Sequence, residues 1–179
     1  MKTKHIILLL YVLSWIIFVG LSIVAGGFVT NTFFAWFKPD VVPRLWQQAD
    51  LSAVFEYDRM YFLQLHLLIS VVTILKAVLF YFIIIILPDK NFSLSSPFNK
   101  TIERFILKMS FVSFLIGLFS TWGSSYAEGL MRLGLKMPDL QQMYFDGAGV
   151  WWLMAVVLFV IGQIFKRGMA LQAENDLTV

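Results

Sequence analysis

Four long apolar stretches, separated by polar segments, dominate the chain. They run over residues 6–29, 60–87, 109–127 and 148–165. An α-helix rises about 1.5 Å per residue, so about 20 residues cross a hydrocarbon core about 30 Å thick. Each stretch is close to this length or longer. The pattern therefore predicts an all-α integral membrane protein, built as one domain over residues 1–179 with a bundle of four transmembrane helices.

The composition agrees with a membrane protein. Hydrophobic residues make up 59% of the chain and charged residues 14%, whereas globular chains carry about 25% charged residues. The chain has no cysteine, which excludes disulfides and cysteine-ligated metals. The first apolar stretch is longer than the roughly 7–15 residues of a signal-peptide core and lacks a clear small-x-small cleavage site. We therefore expect it to be retained as a span.

The two sides of the predicted bundle differ in their number of basic residues. One side carries eight of them, namely Lys2, Lys4, Lys90, Lys100, Arg104, Lys108, Lys166 and Arg167. The other side carries five, namely Lys38, Arg44, Arg59, Arg132 and Lys136. Because cytoplasmic segments are enriched in lysine and arginine, this bias predicts that both termini lie in the cytoplasm.

Short helices are predicted in the outer connections. In residues 30–59 apolar side chains recur near helical spacing, which predicts an amphipathic helix on the outer surface; they are Val42, Leu45, Trp46, Ala49 and Ala53. In residues 128–147 Asp139 is followed three residues later by Gln142, a capping-box pattern. On the cytoplasmic side, Ser96 and Pro97 are predicted to be the N-cap and first residue of the helix that leads into the third span.

Small and hydroxyl-bearing residues form stripes on three of the spans. The stripes consist of His66, Ser70, Thr73 and Ala77 on the second span, of Ser110, Ser113, Gly117, Ser120, Thr121 and Ser124 on the third, and of Ala148, Ala155 and Gly162 on the fourth. Helices in lipid associate through small residues that allow close approach. We therefore expect these stripes to be the packing faces of a left-handed bundle.

Lys76 is a charged residue deep inside a predicted span. It stands eleven residues before Leu87, which places it about 16 Å from the inner end of that span. Lysine at such a depth costs about 2.5–3.5 kcal/mol, and no aspartate or glutamate lies in any of the four spans. Either Lys76 faces the bundle and bonds hydroxyls and carbonyls, or it reaches the inner interface, or the whole span is shifted along the membrane normal. In the first case Lys76→Met should keep or raise stability, because no ion pair is broken.

His66 is the second candidate functional residue. It lies about two turns inside the outer interface, and a lone histidine there is more often a hydrogen-bonded packing residue than a ligand. No second histidine or carboxylate stands at metal-ligand spacing on its helix. We find no serine triad, no paired carboxylates at membrane depth, no phosphate loop and no basic face for nucleic acid. The sequence therefore predicts no enzyme, no cofactor and no direct binding of nucleic acid.

The cytoplasmic tail, residues 166–179, follows directly on the fourth span. It reads Lys-Arg-Gly-x-x-Leu-Gln-x-Glu-Asn-Asp-Leu-Thr-Val. This sequence motif and the four-span layout resemble a bacterial membrane family known as domain of unknown function 2975, over essentially the whole chain. The resemblance implies a location in the bacterial cytoplasmic (inner) membrane. It also implies a soluble partner, since the genes of such proteins typically stand beside genes of small helix-turn-helix regulators.

Two functions stay open. The first is a regulatory or partner-binding membrane module that works with a soluble DNA-binding regulator at the cytoplasmic face. Its docking residues would be Lys166, Arg167, Leu171, Gln172, Glu174, Asn175, Asp176 and Leu177. The alternative is a protein that binds or transports a small molecule or a lipid, with Lys76 and His66 in its pathway. Membrane lipids are partners in both cases, and the oligomeric state is not predicted.

A different role for the tail is also open. The tail would fold back and cap the bundle through Leu171 and Leu177, with Glu174 or Asp176 reaching a basic side chain, which would be Arg104 or Lys108. Such surface ion pairs contribute only about 0–1 kcal/mol, so capping would stabilise the bundle weakly.

Overall fold

The computed structural model describes residues 3–45, 49–89 and 99–176, and most of them are helical. The long helices are α1 (Thr3–Phe37), α3 (Arg59–Ile86), α4 (Lys100–Arg132) and α5 (Ala148–Asp176). A 3-10 helix (Pro39–Arg44) and the six-residue α2 (Ser52–Tyr57) lie between α1 and α3. The four long helices are long and apolar enough to cross a membrane. The protein is therefore a helix bundle of the multi-pass membrane type.

The long helices pack in the order in which they follow along the chain. α1 packs against α3, α3 against α4, and α4 against α5. The central pair is thus α3 and α4, and the flanking helices are α1 and α5. The flanking helices leave many apolar side chains uncovered, among them Ile16 (63% exposed) and Leu153 (64% exposed). Such side chains are suited to contact with lipid, which is as apolar as leucine.

Small residues bring α4 and α5 close together, as predicted. A Cβ atom placed on Gly162 would lie 2.6 Å from Cδ2 of Leu107. The Ser110 hydroxyl donates a hydrogen bond of 2.8 Å to the carbonyl oxygen of Ala155. A larger residue at Gly162 would require the Leu107 side chain to move, so small residues do lie where these two helices approach closely, as predicted.

The two ends of the bundle carry different parts of the chain. The end with the start of α1, the start of α4 and the last residues of α3 and α5 is called the termini end. The opposite end carries the described connections between α1 and α3 and between α4 and α5, and is called the connection end.

The helix bounds differ from the predicted spans in places. α3 agrees with 60–87 within one residue at each end, whereas α1, α4 and α5 continue beyond the predicted apolar stretches. At the termini end α4 is capped by Asn99, whose side chain accepts a hydrogen bond of 2.9 Å from the N–H of Ile102. The predicted cap, Ser96, lies with Pro97 outside the described residues.

The connection between α1 and α3 contains two short helices, the 3-10 helix that ends at Arg44 and α2, which begins at Ser52. The sequence predicted one short amphipathic helix in this connection, and Trp46 of that prediction lies outside the described residues. Leu51 and Val54, at the start of α2, are buried to 1% and 0% exposure. Their apolar side chains therefore pack onto the bundle.

The connection between α4 and α5 inserts among the helices, and residues 133–147 are called the inserted loop. Phe145 packs directly on Gly123, where an added Cβ would lie 2.3 Å from the phenyl ring. Gly123 stands nine residues before Arg132, so the contact lies about 13 Å below the end of α4. Met143 and Phe145 are both 0% exposed. The loop thus fills space that four straight helices would leave open.

A single helical turn shapes the tip of the inserted loop, where the sequence predicted a short helix. The N–H of Met143 donates to the carbonyl of Asp139 (3.2 Å), and that of Phe145 to the carbonyl of Leu140 (2.9 Å). Tyr144 lies between them at φ 62°, in the left-handed region. This conformation costs a non-glycine residue roughly 1–2 kcal/mol. Burial of Met143 and Phe145 offsets it, at about 1.5–3 kcal/mol for each side chain.

Candidate functional site

Lys76 of α3 points into the protein, and the inserted loop binds its ammonium group. Nζ donates a hydrogen bond of 2.8 Å to the carbonyl oxygen of Tyr144. The rings of Tyr144 and Trp151 each have their centroid 5.7 Å from Nζ, within the range of a cation–π contact. The side chain leans toward the connection end, as helical side chains tilt toward their N-terminus. The bundle-facing alternative is therefore confirmed and the inner-interface alternative is wrong.

Asp146 adds a negative charge that the sequence analysis did not place near Lys76. Its carboxylate lies in the inserted loop, two residues before α5, and interacts electrostatically with Lys76. No acid lies in the four predicted spans, but the exposed carboxylate of Asp146 at the end of the inserted loop is near enough to influence Lys76. Lys76→Met would remove a charge-assisted hydrogen bond. The expected sign of its effect on stability therefore reverses.

His66 is buried in α3, with 2% of its surface exposed. Its Nδ1 lies 3.2 Å from the carbonyl oxygen of Phe62, one turn earlier in the helix. The imidazole centroid is 3.9 Å from that of the Phe62 ring and 5.8 Å from that of Phe28. A carbonyl oxygen only accepts, so this contact favours the neutral tautomer in which Nδ1 carries the hydrogen and Nε2 is an acceptor. Within the described part of the chain, no hydrogen bond engages Nε2.

His66 lines a cavity of about 180 Å³ at the connection end. The walls come from α1, the 3-10 helix, α2 and α3. The polar groups in the walls belong to Asn31, Ser52, Glu56 and His66, and the remaining lining is apolar. Asn31 is buried (7% exposed), whereas Ser52 and Glu56 lie at the exposed surface of α2. The cavity therefore joins a buried polar base to a rim that solvent reaches.

Asp50 fixes the start of α2 beside this cavity. Its Oδ1 accepts hydrogen bonds from the N–H of Ser52 (3.1 Å) and from the Ser52 hydroxyl (2.6 Å). These bonds stabilise the charged carboxylate and hold the pKa of Asp50 below its usual value. Since Ser52 lines the cavity, Asp50 positions part of the rim.

The cavity that His66 lines does not include Lys76. The two residues stand ten positions apart on α3, which is about 15 Å along the helix axis. The Phe28 ring lies between them, 5.8 Å from the His66 ring and 6.2 Å from the Tyr144 ring. The hydroxyl of Ser70, which lies between them on the same helix, donates to the His66 carbonyl (2.7 Å) and does not line a polar route from His66 to Lys76. The structure thus places the two candidates in separate environments.

The predicted docking residues continue α5 as a helix instead of forming a separate tail. Lys166, Arg167, Gln172 and Glu174 are exposed, and Leu171 is 53% exposed. Gly162 faces Leu107, seven residues after the start of α4. By the same rise per residue, the last seven residues of α5 extend beyond α4 by about 10 Å.

The capping alternative is wrong for the part of the tail that the structure describes. Glu174 is exposed, and among the described side chains it forms no ion pair with Arg104 or Lys108. The straight continuation of α5 carries Glu174 past the start of α4 and away from both basic residues. Leu177 lies outside the described residues, as do the side chains of Asn175 and Asp176.

Sequence reasoning missed two groups of residues. Asn31 and Glu56 were not singled out, although Asn31 stands two residues after the first apolar stretch and is an unusual polar residue to bury. Tyr144 and Asp146 were missed because they lie in a connection that was expected to stay outside the bundle. In the described residues, no group of three or more histidine, aspartate or glutamate side chains could hold a metal ion.

Comparison of the chain with known protein families, with curated proteins and with solved structures finds no match. The resemblance to domain of unknown function 2975 therefore stays a prediction.

Proposed function

We propose that the protein is a multi-pass protein of the bacterial cytoplasmic membrane whose termini end faces the cytoplasm and binds a soluble regulator. The observation that supports this most is the exposed extension of α5. Seven residues beyond the start of α4 stay helical, and those of them whose side chains are described, residues 170–174, are exposed. A polar helix that continues without contacts gains little from the bundle itself, since most helical stability in proteins comes from packing.

The side chains of the α5 extension are suited to binding the surface of another protein. Leu171 supplies an exposed apolar side chain, Gln172 and Glu174 supply hydrogen-bond acceptors, and Lys166 with Arg167 supplies positive charge at the level of the membrane boundary. Amphipathic helical segments of this kind bind in grooves of partner proteins. The proposed partner is a DNA-binding regulator, and this identity rests on the resemblance of the tail alone.

The proposed orientation is tested by cysteine labelling. The chain has no natural cysteine, so each introduced one is unique. Gln141 is exposed at the connection end and Gln172 at the termini end. An impermeant maleimide added to intact cells is expected to label Gln141→Cys and to leave Gln172→Cys unlabelled until the cells are opened. Labelling of Gln172→Cys in intact cells would overturn the orientation.

The proposed partner is tested by photocrosslinking in native membranes. A photoreactive residue at Gln172 is expected to crosslink one soluble DNA-binding protein, and the same residue at Gln141 is not. Leu171→Glu should abolish the crosslink, whereas Leu133→Glu should keep it. Leu133 is a matched control because it is exposed to a similar degree (58%) at the opposite end.

The captured regulator must also respond to the membrane protein. Its binding to DNA is expected to change when full-length chain in nanodiscs is added, and to change less with the Leu171→Glu variant. If Gln172 captures no DNA-binding protein, or if Gln141 captures the same one, the regulatory function is wrong.

Lipid binding is a second candidate, favoured by an apolar groove of about 590 Å³ between α4 and α5. Its walls include Phe111, Phe114, Val156 and Phe159, and these side chains are 42–61% exposed. The proposed occupant is a phospholipid acyl chain, because the groove lies along helices that are apolar enough to cross a membrane.

Native mass spectrometry of gently delipidated protein tests the lipid proposal. Val156→Trp fills the groove and is expected to reduce the retained phospholipid. Val150→Trp is the matched control, since Val150 is equally exposed (63% against 60%) but does not line the groove. Equal retention in the two variants would contradict the proposal.

A further inference from the structure

We propose that the cavity at the connection end, lined by His66 and Glu56, binds a small organic ammonium compound with a compact apolar body. This ligand site is independent of the proposed docking at the termini end. The size of the cavity limits the ligand: about 180 Å³ is slightly more than the roughly 150 Å³ that accommodates benzene in a protein interior. One ring, or an alkyl group of similar size, fills it.

The polar groups of the cavity favour a hydrogen-bond donor that carries positive charge. Glu56 contributes a carboxylate, which only accepts hydrogen bonds. The Nε2 atom of His66 is also an acceptor, because Nδ1 already donates to Phe62. An ammonium group has three donors and no acceptor, so it can donate to either partner. The buried Nε2 of His66 costs free energy when it has no donor, which disfavours a ligand without donors.

Aromatic rings in the wall favour a cation further. Phe55 and Phe62 both line the cavity, and their ring centroids lie 5.0 Å apart at an interplanar angle of 72°. The two rings contact each other edge to face. A ring face that borders the cavity attracts a cation, as in the aromatic cages that bind organic ammonium groups. An alkyl or aryl body would pack against the apolar remainder of the wall.

An anionic ligand is disfavoured by the same geometry. Among the described residues that line this cavity there is no lysine or arginine. Arg59 is near in sequence, but its guanidinium is engaged elsewhere: Nε donates to the carbonyl of Ala35 (2.8 Å) and Nη2 to that of Trp36. The exposed carboxylates of Asp50 and Glu56, both on or beside α2, give the rim a negative charge that attracts cations.

Two probes of the same shape test the proposal on full-length protein in phosphatidylcholine nanodiscs. Benzylamine is cationic at pH 7 and benzyl alcohol is neutral. Isothermal titration calorimetry is expected to show saturable binding of benzylamine at one site per chain, at least about fivefold tighter than benzyl alcohol. Empty nanodiscs supply the background for partition into lipid.

Three variants separate the contacts. Glu56→Gln keeps the shape of an exposed side chain. It is expected to lower the affinity for benzylamine about three- to tenfold and to leave the affinity for benzyl alcohol unchanged. His66→Phe keeps a ring but removes Nε2, and is expected to weaken both probes. Glu128→Gln, on the exposed surface of α4 and outside the cavity, is the matched control and should change neither.

The proposal is overturned if benzylamine does not bind saturably or binds no tighter than benzyl alcohol. It is also overturned if Glu56→Gln and Glu128→Gln change the affinity for benzylamine equally. Since Glu56 is exposed, its substitution is expected to leave the fold intact, and the Glu56→Gln result therefore decides the matter even if His66→Phe does not fold.

Discussion

The connection end and the termini end of this bundle are held together to very different degrees. At the connection end, side chains from α1, α2 and the inserted loop are almost completely buried, as shown by Phe28 (2% exposed), Val54 (0%) and Phe145 (0%). At the termini end, α5 continues for about two turns beyond the start of α4, and the described side chains there, those of residues 170–174, are exposed. The difference indicates that the connection end supplies stability, whereas the extension of α5 is available for binding.

The connection end also binds the polar groups that lie deepest in the bundle. Lys76 donates to Tyr144, and His66 donates to Phe62. An unpaired polar group in an apolar surrounding costs several kcal/mol, so the bond between Lys76 and the Tyr144 carbonyl helps to hold the inserted loop in place. If the comparison is right, substitutions at the connection end should change the free energy of unfolding far more than changes in the extension of α5.

The largest effect is expected from Phe145→Ala. The substitution removes a fully buried ring from the tip of the inserted loop and leaves a cavity, which costs about 3–5 kcal/mol. Reversible unfolding in mixed micelles, titrated with sodium dodecyl sulfate, measures the loss. Phe111→Ala is the control, because Phe111 is 61% exposed, and its effect should stay below about 1 kcal/mol. Equal losses for both variants would contradict a stabilising role of the loop.

Gly123→Ala is expected to have the next largest effect. Its Cβ would lie 2.3 Å from the Phe145 ring, which is enclosed and cannot move aside without displacing the loop. Overpacking of this kind costs about 1–3 kcal/mol. The test is a double-mutant cycle: Gly123→Ala should cost much less in a Phe145→Ala background. Additive losses would mean that the two residues are not in contact.

Lys76→Met is expected to destabilise the bundle by about 1–2 kcal/mol. It removes a hydrogen bond from a charged donor, worth about 1.5–3 kcal/mol, while relieving part of the desolvation cost of the ammonium group. The same unfolding assay measures it. Lys108→Met is the control, since Nζ of Lys108 also lies 5.7 Å from a ring, that of Phe82, but the residue is exposed. A stabilised Lys76→Met protein would restore the expectation drawn from the sequence.

The smallest effect is expected from deletion of residues 171–179. These residues begin beyond the start of α4, and Leu171 is 53% exposed, so the free energy of unfolding should change by less than about 0.5 kcal/mol. A loss as large as that of Lys76→Met would show that the extension stabilises the bundle. It would also remove the contrast between the two ends on which the proposed docking depends.

The sequence alone determined the four long helices and the way in which neighbouring helices approach. Length and apolar composition predict spans because the backbone in lipid must bond within each segment. The small residues on the third and fourth spans, among them Ser110 and Gly162, predicted close packing because helices in lipid associate through small side chains. Lys76 lies deep in its span, and helical side chains tilt toward the N-terminus of their helix. These two facts made a bundle-facing Lys76 one of the alternatives drawn from the sequence.

Only the tertiary structure decided which helices are central and what fills the space between them. α1 and α3 have equal mean hydropathy over their most apolar windows, yet 6% of that window is buried in α1 and 44% in α3. Lipid and protein interior are equally apolar, so hydropathy does not distinguish the surfaces that face them. The insertion of residues 133–147 likewise depends on contacts between distant parts of the chain. Asp146 interacts electrostatically with Lys76 although 70 positions separate them in the chain, and no local sequence pattern predicts that these two residues lie close together.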